Sequence, residues 1–360
     1  MIFEFPHRFP PDAIELELPD VAAVRVLGGD RMAALESALD ERRSRLAALV
    51  SLGDDAQRLC ARTDDAVRIG YARLALRHGS WGEDFHDYHN EGHVLDIYRD
   101  RIGKLIATHG ALALSLRDWC ILGLFAACHD LRQREKTAYA AGVGANERAS
   151  TEEAVRILDS CGFARDSDAD IYLALDLAIA GSTFDARPPP GSAAFNAAEL
   201  VQSGGALATK LAQKLDKHRP GWRDDVRMQH AHELALIAAD LDTANVADPF
   251  ARFTASARNL CLEREMLCQR DIDDGDSAMP VLGFLTDGQD RFFFDLHRFN
   301  SALGRVAFEE AKRANAARLK SLSLGLRARI AISGKPTNGR QVLQAFSEAA
   351  AGLVDSPAGA

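Results

Sequence analysis

Two histidines four residues apart, in Tyr88-His89-Asn90-Glu91-Gly92-His93, are the first side chains whose types and spacing allow chemistry. Four residues is about one turn of an α-helix, so both imidazoles are expected on one side of a helix. His129-Asp130 closes the most apolar run in the chain, and Asp240 sits within Ala238-Ala239-Asp240-Leu241-Asp242. A carboxylate ending such a run needs a reason, because burying it is costly unless it is paired or ligates a metal. Imidazole nitrogen with carboxylate oxygen suits Zn, Mn, Fe or Co, or Mg where oxygen and water dominate. With His93, His129, Asp130 and Asp240 as ligands of one divalent ion, positions remain for water, which marks a catalytic site rather than a structural one. Such an ion lowers the pKa of water toward neutrality and polarises a phosphoryl oxygen. His89, one turn from a ligand, is placed to protonate a leaving oxygen as general acid.

These side chains need helices to carry them. The spacing predicts a helix from near Asp87, capped by it, to Gly110, with His89, His93 and Ile97 on one inward stripe. A second helix over Arg117 to Leu131 is apolar on nearly every side and delivers His129 and Asp130 at its end. A third, Arg223 to Val246, places His232, Leu236 and Asp240 on one face, which makes His232 a core or near-site histidine. Ahead of them lie helices over Asp30 to Val50 and from Asp54 or Asp64 to His78, stopped by Gly79. Ser150 with Glu153 reads as a capping box for a helix ending near Gly162, and a further helix runs from about Asp168 to Ala180. Strand-like alternation is absent almost everywhere, so the fold class is all-α, with β structure at most around Ile14 to Val26. Arg132 to Ala145 reads as a loop beside the site, in which Arg132, Arg134 and Lys136 are candidates to hold phosphate oxygens.

Composition narrows the partners. The chain has 360 residues, 47% of them hydrophobic, and 43 Lys and Arg against 52 Asp and Glu, a net charge of −9. No basic stripe follows any predicted helix, so neither nucleic acid nor an anionic membrane is an expected partner. The first residues show no basic region followed by an apolar one, and no apolar run approaches the roughly 18 residues of a spanning helix. Six cysteines, none in a CxxC pair, read as small core residues in a reducing cytoplasm. The acidic turn at 271–276 lacks the bidentate Glu of a calcium loop. His89-Asn-Glu-Gly-His93 also differs from the HExxH of zinc proteases, because its Glu does not follow the first His.

Taken in order, Tyr88-His-Asn-Glu-Gly-His93, Ala126-Ala-Cys-His-Asp130 and Ala239-Asp-Leu241 resemble the signature of the HD-domain superfamily of metal-dependent phosphohydrolases. Within it they are most like the catalytic domain of the cyclic-nucleotide phosphodiesterases, and the 36 residues from His93 to His129 are similar to the interval there. The resemblance covers about residues 81 to 300. It implies an HD domain over 81–300 with an N-terminal helical extension over 1–80 packed on it and a C-terminal helical extension over 301–360. It also implies His93, His129, Asp130 and Asp240 as ligands, His89 as proton donor, and a small phosphorylated, nucleotide-like substrate. Asn146-Glu147-Arg148-Ala149-Ser150 is similar to a stretch after the His-Asp pair in a less characterised branch, which implies a water-mediated or supporting role for Glu147. Two departures stand out. The phosphodiesterases' further histidine after His-Asp is replaced in the run Leu131-Arg132-Gln133-Arg134, which leaves a second ion open. Val281-Leu282-Gly283-Phe284 stands where they read a purine with Gln, leaving only Phe284 to clamp a flat group. The contrasting expectation is a helical binding or regulatory module whose catalytic role has lapsed.

Overall fold

In the computed structural model, which describes residue 3 and residues 7–133, 143–185 and 205–354, the chain is all-α. Its only strands among the described residues are the two-residue segments Phe184–Asp185 and Gly205–Ala206. Contacts divide it into two units. The first comprises Met1–Thr183, Ala206–Asp242 and Asn300–Ala307, and the second Phe184–Gly205, Thr243–Phe299 and Phe308–Ala360. These units do not follow divisions at 80 and 300: residues 1–80 share a unit with the candidate site, and residues 243–299 do not.

The first unit runs α1 (Ala13–Glu17), α2 (Val21–Gly28), α3 (Ala33–Arg45), α4 (Ala47–Val50), α5 (Asp54–His78), α6 (Glu91–Leu95), α7 (Ile102–His109) and α8 (Leu116–Cys128). It continues with α9 (Ala145–Ser160), α10 (Ala169–Ser182), α11 (Leu211–His218) and α12 (Val226–Asp242). The expected β structure around Ile14 to Val26 is instead α1 and α2. The reason is local: Asp12 accepts from the Glu15 amide and Asp20 from the Ala23 amide, each at 2.9 Å, so both segments start as capped helices. Leu35, Leu39, Leu46 and Leu49 are buried at their helical spacing, and α5 ends where Gly79 follows His78.

α8 is the centre of this unit. Trp119, Ile121, Leu122, Leu124 and Phe125 are all buried, each worth about 1.5–3 kcal/mol relative to exposure. The helix packs on α5, α10 and α12. Its start is fixed by a reciprocal capping box between Ser115 and Asp118. No such box forms at Ser150: α9 begins five residues earlier at Ala145, behind Gly144 in the left-handed region, and Ser150 lies inside the helix. At the crossing of α5 and α8 a Cβ on Gly70 would lie 2.7 Å from the Ala127 carbonyl oxygen. Glycine there lets the last turn of α8, with His129 behind it, come close to α5.

The second unit holds α13 (Phe250–Leu267), α14 (Ala278–Gly283), α15 (Gln289–Arg291), most of α16 (Ala302–Ser333) and α17 (Gly339–Val354), around buried Phe253, Phe284, Phe293 and Phe346. The segments 134–142 and 186–204 lie outside the described residues.

Candidate metal centre

Three helix ends deliver the side chains. Asn90, its carboxamide accepting from the Gly92 amide at 2.8 Å, caps α6, so the helix starts three residues later than expected. His89 therefore precedes the helix, and the one-turn argument for pairing it with His93 does not apply. The two rings are still neighbours, at 6.0 Å and edge to face, because the turn folds back on α6. His129 is the residue that ends α8, Asp130 follows it, and Asp242 is the last residue of α12.

These four side chains converge. His93 Nε2 lies 3.1 Å from Asp242 Oδ1 and 3.7 Å from Asp130 Oδ2. His129 Nε2 lies 2.9 Å from Asp130 Oδ2 and 3.4 Å from Asp242 Oδ1. Both imidazoles are buried, whereas the carboxylate side chains keep 13% and 19% exposure, so the cluster opens on its oxygen side.

Asp240 is elsewhere, and the expectation for it is corrected. Its Oδ1 accepts from the Asn300 amide at 2.6 Å and its Oδ2 from the Ser301 amide and hydroxyl at 2.8 and 2.6 Å. A Cβ on Gly304 would collide with that carboxylate. Asp240 thus anchors the start of α16 and has no free face for an ion. Residues two apart on a helix point about 200° away from each other, so choosing between Asp240 and Asp242 reverses the direction entirely.

Charge shapes the cluster. Burial lowers the pKa of His93, keeping it a neutral donor. Burial acts on His129 in the same sense, yet Asp130 and then Asp242 hold its pKa well above the ordinary range. Burial opposes ionisation of Asp130 and Asp242 as well, but His129 holds both pKa values down, with help from His89 for Asp130 and from His93 for Asp242. Two carboxylates against one imidazolium leave the site net negative at neutral pH, which favours a dication.

The donor set fits such an ion. His129 Nδ1 faces the Phe125 carbonyl at 3.1 Å and can only donate to it, which turns Nε2 toward the cluster. That buried Nε2, close to two carboxylates, has no aligned hydrogen bond. His93, His129 and Asp242 each offer one donor atom within 4.8 Å of the other two, and Asp130 Oδ2, 2.9 Å from His129 Nε2, lies beside that group.

Further polar groups hold these side chains in place. Arg101 ends the π-helical stretch Asp96–Arg101 that continues α6, and its buried guanidinium donates to the carbonyls of Leu241 and Asp242 at 2.9 and 2.5 Å. It thereby fastens the end of α12 to the element carrying His93. Gln133 donates to Asp130 Oδ1 at 2.6 Å, and Asn146 donates to Gln133 at 3.1 Å. Asn146 was visible within its motif, but nothing in sequence marked Gln133 or Arg101. Burial pushes the carboxyl of Glu147 up to about 7, with the Asp130 charge adding to the rise.

The remaining candidates fall away from the cluster. Arg132 is buried against Glu15 at 2.8 Å and Glu153 at 3.4 Å, and its amide donates to Ser150 Oγ at 3.1 Å. It is committed to internal ion pairs rather than to phosphate. Arg134 and Lys136 lie outside the described residues. His232 is half-buried with its ring 4.9 Å from that of Trp222. Phe284 is fully buried in the second unit under the Arg264 guanidinium, so its ring offers no open face to a flat ligand. Among the described residues no helix is long and apolar enough to cross a membrane.

No protein-family model matches this chain, and no curated protein matches it.

Proposed function

We propose that the protein is a metal-dependent phosphohydrolase of HD type, acting on a phosphoester or phosphodiester of a small phosphorylated molecule, with His93, His129, Asp130 and Asp242 holding one divalent ion. The observation that carries this reading is the buried His129 Nε2, oriented by the Phe125 carbonyl and faced by two carboxylates without an aligned hydrogen bond. When bound, a divalent ion there supplies Lewis acidity and a lowered pKa for water. Nitrogen donors sit at the closed end and the carboxylates at the open end, so substrate approaches from the carboxylate side. Gln133 and Asn146 hold Asp130 against rotation toward that substrate. His89, half-buried beside His93, carries a proton to the departing oxygen. Gln133 takes the place of a further imidazole beside Asp130, which supports a one-ion site.

Metal analysis of the purified chain, followed by assays on bis(4-nitrophenyl) phosphate, 4-nitrophenyl phosphate and a nucleotide panel, tests this. Asp130→Ala is expected to lose both the ion and hydrolysis, while His89→Ala keeps the ion and loses at least about a hundredfold in turnover. Undiminished hydrolysis by metal-free Asp130→Ala would sink the reading. A chain that holds the ion but turns over none of these substrates would favour a binding module instead.

A further inference from the structure

A second group of metal-binding side chains lies outside that cluster. His78 ends α5, the chain turns through Gly79 to Gly82, and the amide of His86 donates back to the His78 carbonyl at 2.9 Å. This closure brings the two buried imidazoles together, with ring centroids 4.1 Å apart and planes tilted by 37°. Asp84, at the exposed tip of the loop, directs one oxygen toward both rings: Oδ2 is 3.4 Å from His78 Nδ1 and 3.6 Å from His86 Nε2. One donor atom from each of the three lies within 4.8 Å of the others.

The distances are informative. Hydrogen bonds between imidazole and carboxylate fall at about 2.7–3.2 Å. Donors around a tetrahedral ion at about 2.0–2.1 Å are instead about 3.3 Å apart. The carboxylate is therefore too far from either ring for a good hydrogen bond, but well placed to share a ligand with both.

We propose that His78, Asp84 and His86 form a second metal site, which takes Zn²⁺ or another borderline transition ion through two imidazole nitrogens and one carboxylate oxygen, with water completing the shell. The site clamps residues 79–87, the loop that leads directly into Tyr88 and His89, and so fixes the approach of the proposed proton donor. The binding claim does not depend on the hydrolytic reading, because none of its three residues belongs to the other cluster.

Full-length protein stripped with chelator and titrated with Co²⁺ tests it, with binding followed by calorimetry and by the visible d–d bands of low-symmetry Co²⁺. Wild type is expected to bind two ions per chain. Asp84→Asn and His86→Gln are each expected to bind one, as is Asp242→Asn, which isolates the second site. Asp84 is solvent-facing, so its variant keeps the fold and the test remains decisive if His86→Gln does not. In the Asp242→Asn background, Zn²⁺ at ten times its dissociation constant should slow chymotryptic cleavage after exposed Phe85 about tenfold. Adding Asp84→Asn should abolish that protection. A wild type whose bound Co²⁺ is undiminished by Asp84→Asn, with cleavage after Phe85 unchanged, overturns the proposal, whereas a single Co²⁺ that Asp84→Asn removes upholds it and counts against the other cluster alone.

Discussion

Exchanging the roles of two aspartates two residues apart gives the sharpest test of the site. Asp240→Ala leaves the amides of Asn300 and Ser301 without an acceptor at the start of α16. Each unsatisfied buried donor costs about 1–3 kcal/mol, so after partial relief by water the expected loss of stability is about 3 kcal/mol. Asp240→Asn keeps one acceptor oxygen and should lose about half as much. Metal affinity in either variant should stay within about twofold of wild type, because Asp240 contacts none of the four proposed ligands. Asp242→Asn removes a ligand. Disturbing a group that merely supports a ligand costs about 10- to 100-fold in affinity, so this loss should reach at least about a hundredfold. Urea unfolding in chelator gives the first quantity and calorimetric metal titration the second. There is a pH signature as well. Burial pushes the Asp240 carboxyl up to about 6 despite its amide and hydroxyl donors. An acid whose folded pKa is raised favours its protonated form in the native state. The stability it contributes is complete below the unfolded value near 4 and declines as pH rises through about 6, and Asp240→Asn should lose that decline. A folded Asp240→Asn that fails to bind metal, beside an Asp242→Asn that binds it normally, would refute the assignment.

Two further outcomes follow from the same geometry. His129 has a raised pKa in the metal-free protein, so near pH 7 metal must displace its proton. Affinity should therefore increase with pH until it passes the raised pKa, and calorimetry in buffers of different ionisation enthalpy should register about one proton released per ion; no buffer dependence would contradict the charge assignment. Arg101→Gln unfastens Asp242 from the element carrying His93 and should weaken metal binding about tenfold without removing a ligand. Unchanged affinity in a stably folded Arg101→Gln protein would show that the end of α12 holds its place unaided.

Much of this architecture is legible in the residues alone, because helical periodicity and capping are local. α5 could be bounded from Asp54 and Gly79, and the burial of α8 follows from its unbroken apolar run. His129 and Asp130 were singled out because an ionisable pair ending an apolar helix is costly without a partner, and the structure brings both beside His93. Where local signals compete, the reading fails. Ser150 and Glu153 have the spacing of a cap, but inside a helix that had already begun Ser150 Oγ accepts from the Arg132 amide and Glu153 is ion-paired with the Arg132 guanidinium.

Tertiary structure alone decides which of two aspartates meets His93 and His129. Asp240 and Asp242 have the same chemistry and nearly the same neighbours in sequence, and the apolar context of Asp240 correctly signals burial. What that burial serves depends on residues far along the chain. Asn300 and Ser301 meet the face of α12 that bears Asp240, while Arg101 pulls the end of the helix, and Asp242 with it, toward His93 and His129. Composition and spacing determined that this all-α chain carries imidazoles and carboxylates fit for a divalent ion. Which carboxylate faces His93 and His129 was settled by a contact about 60 residues away in the chain, which no local pattern encodes.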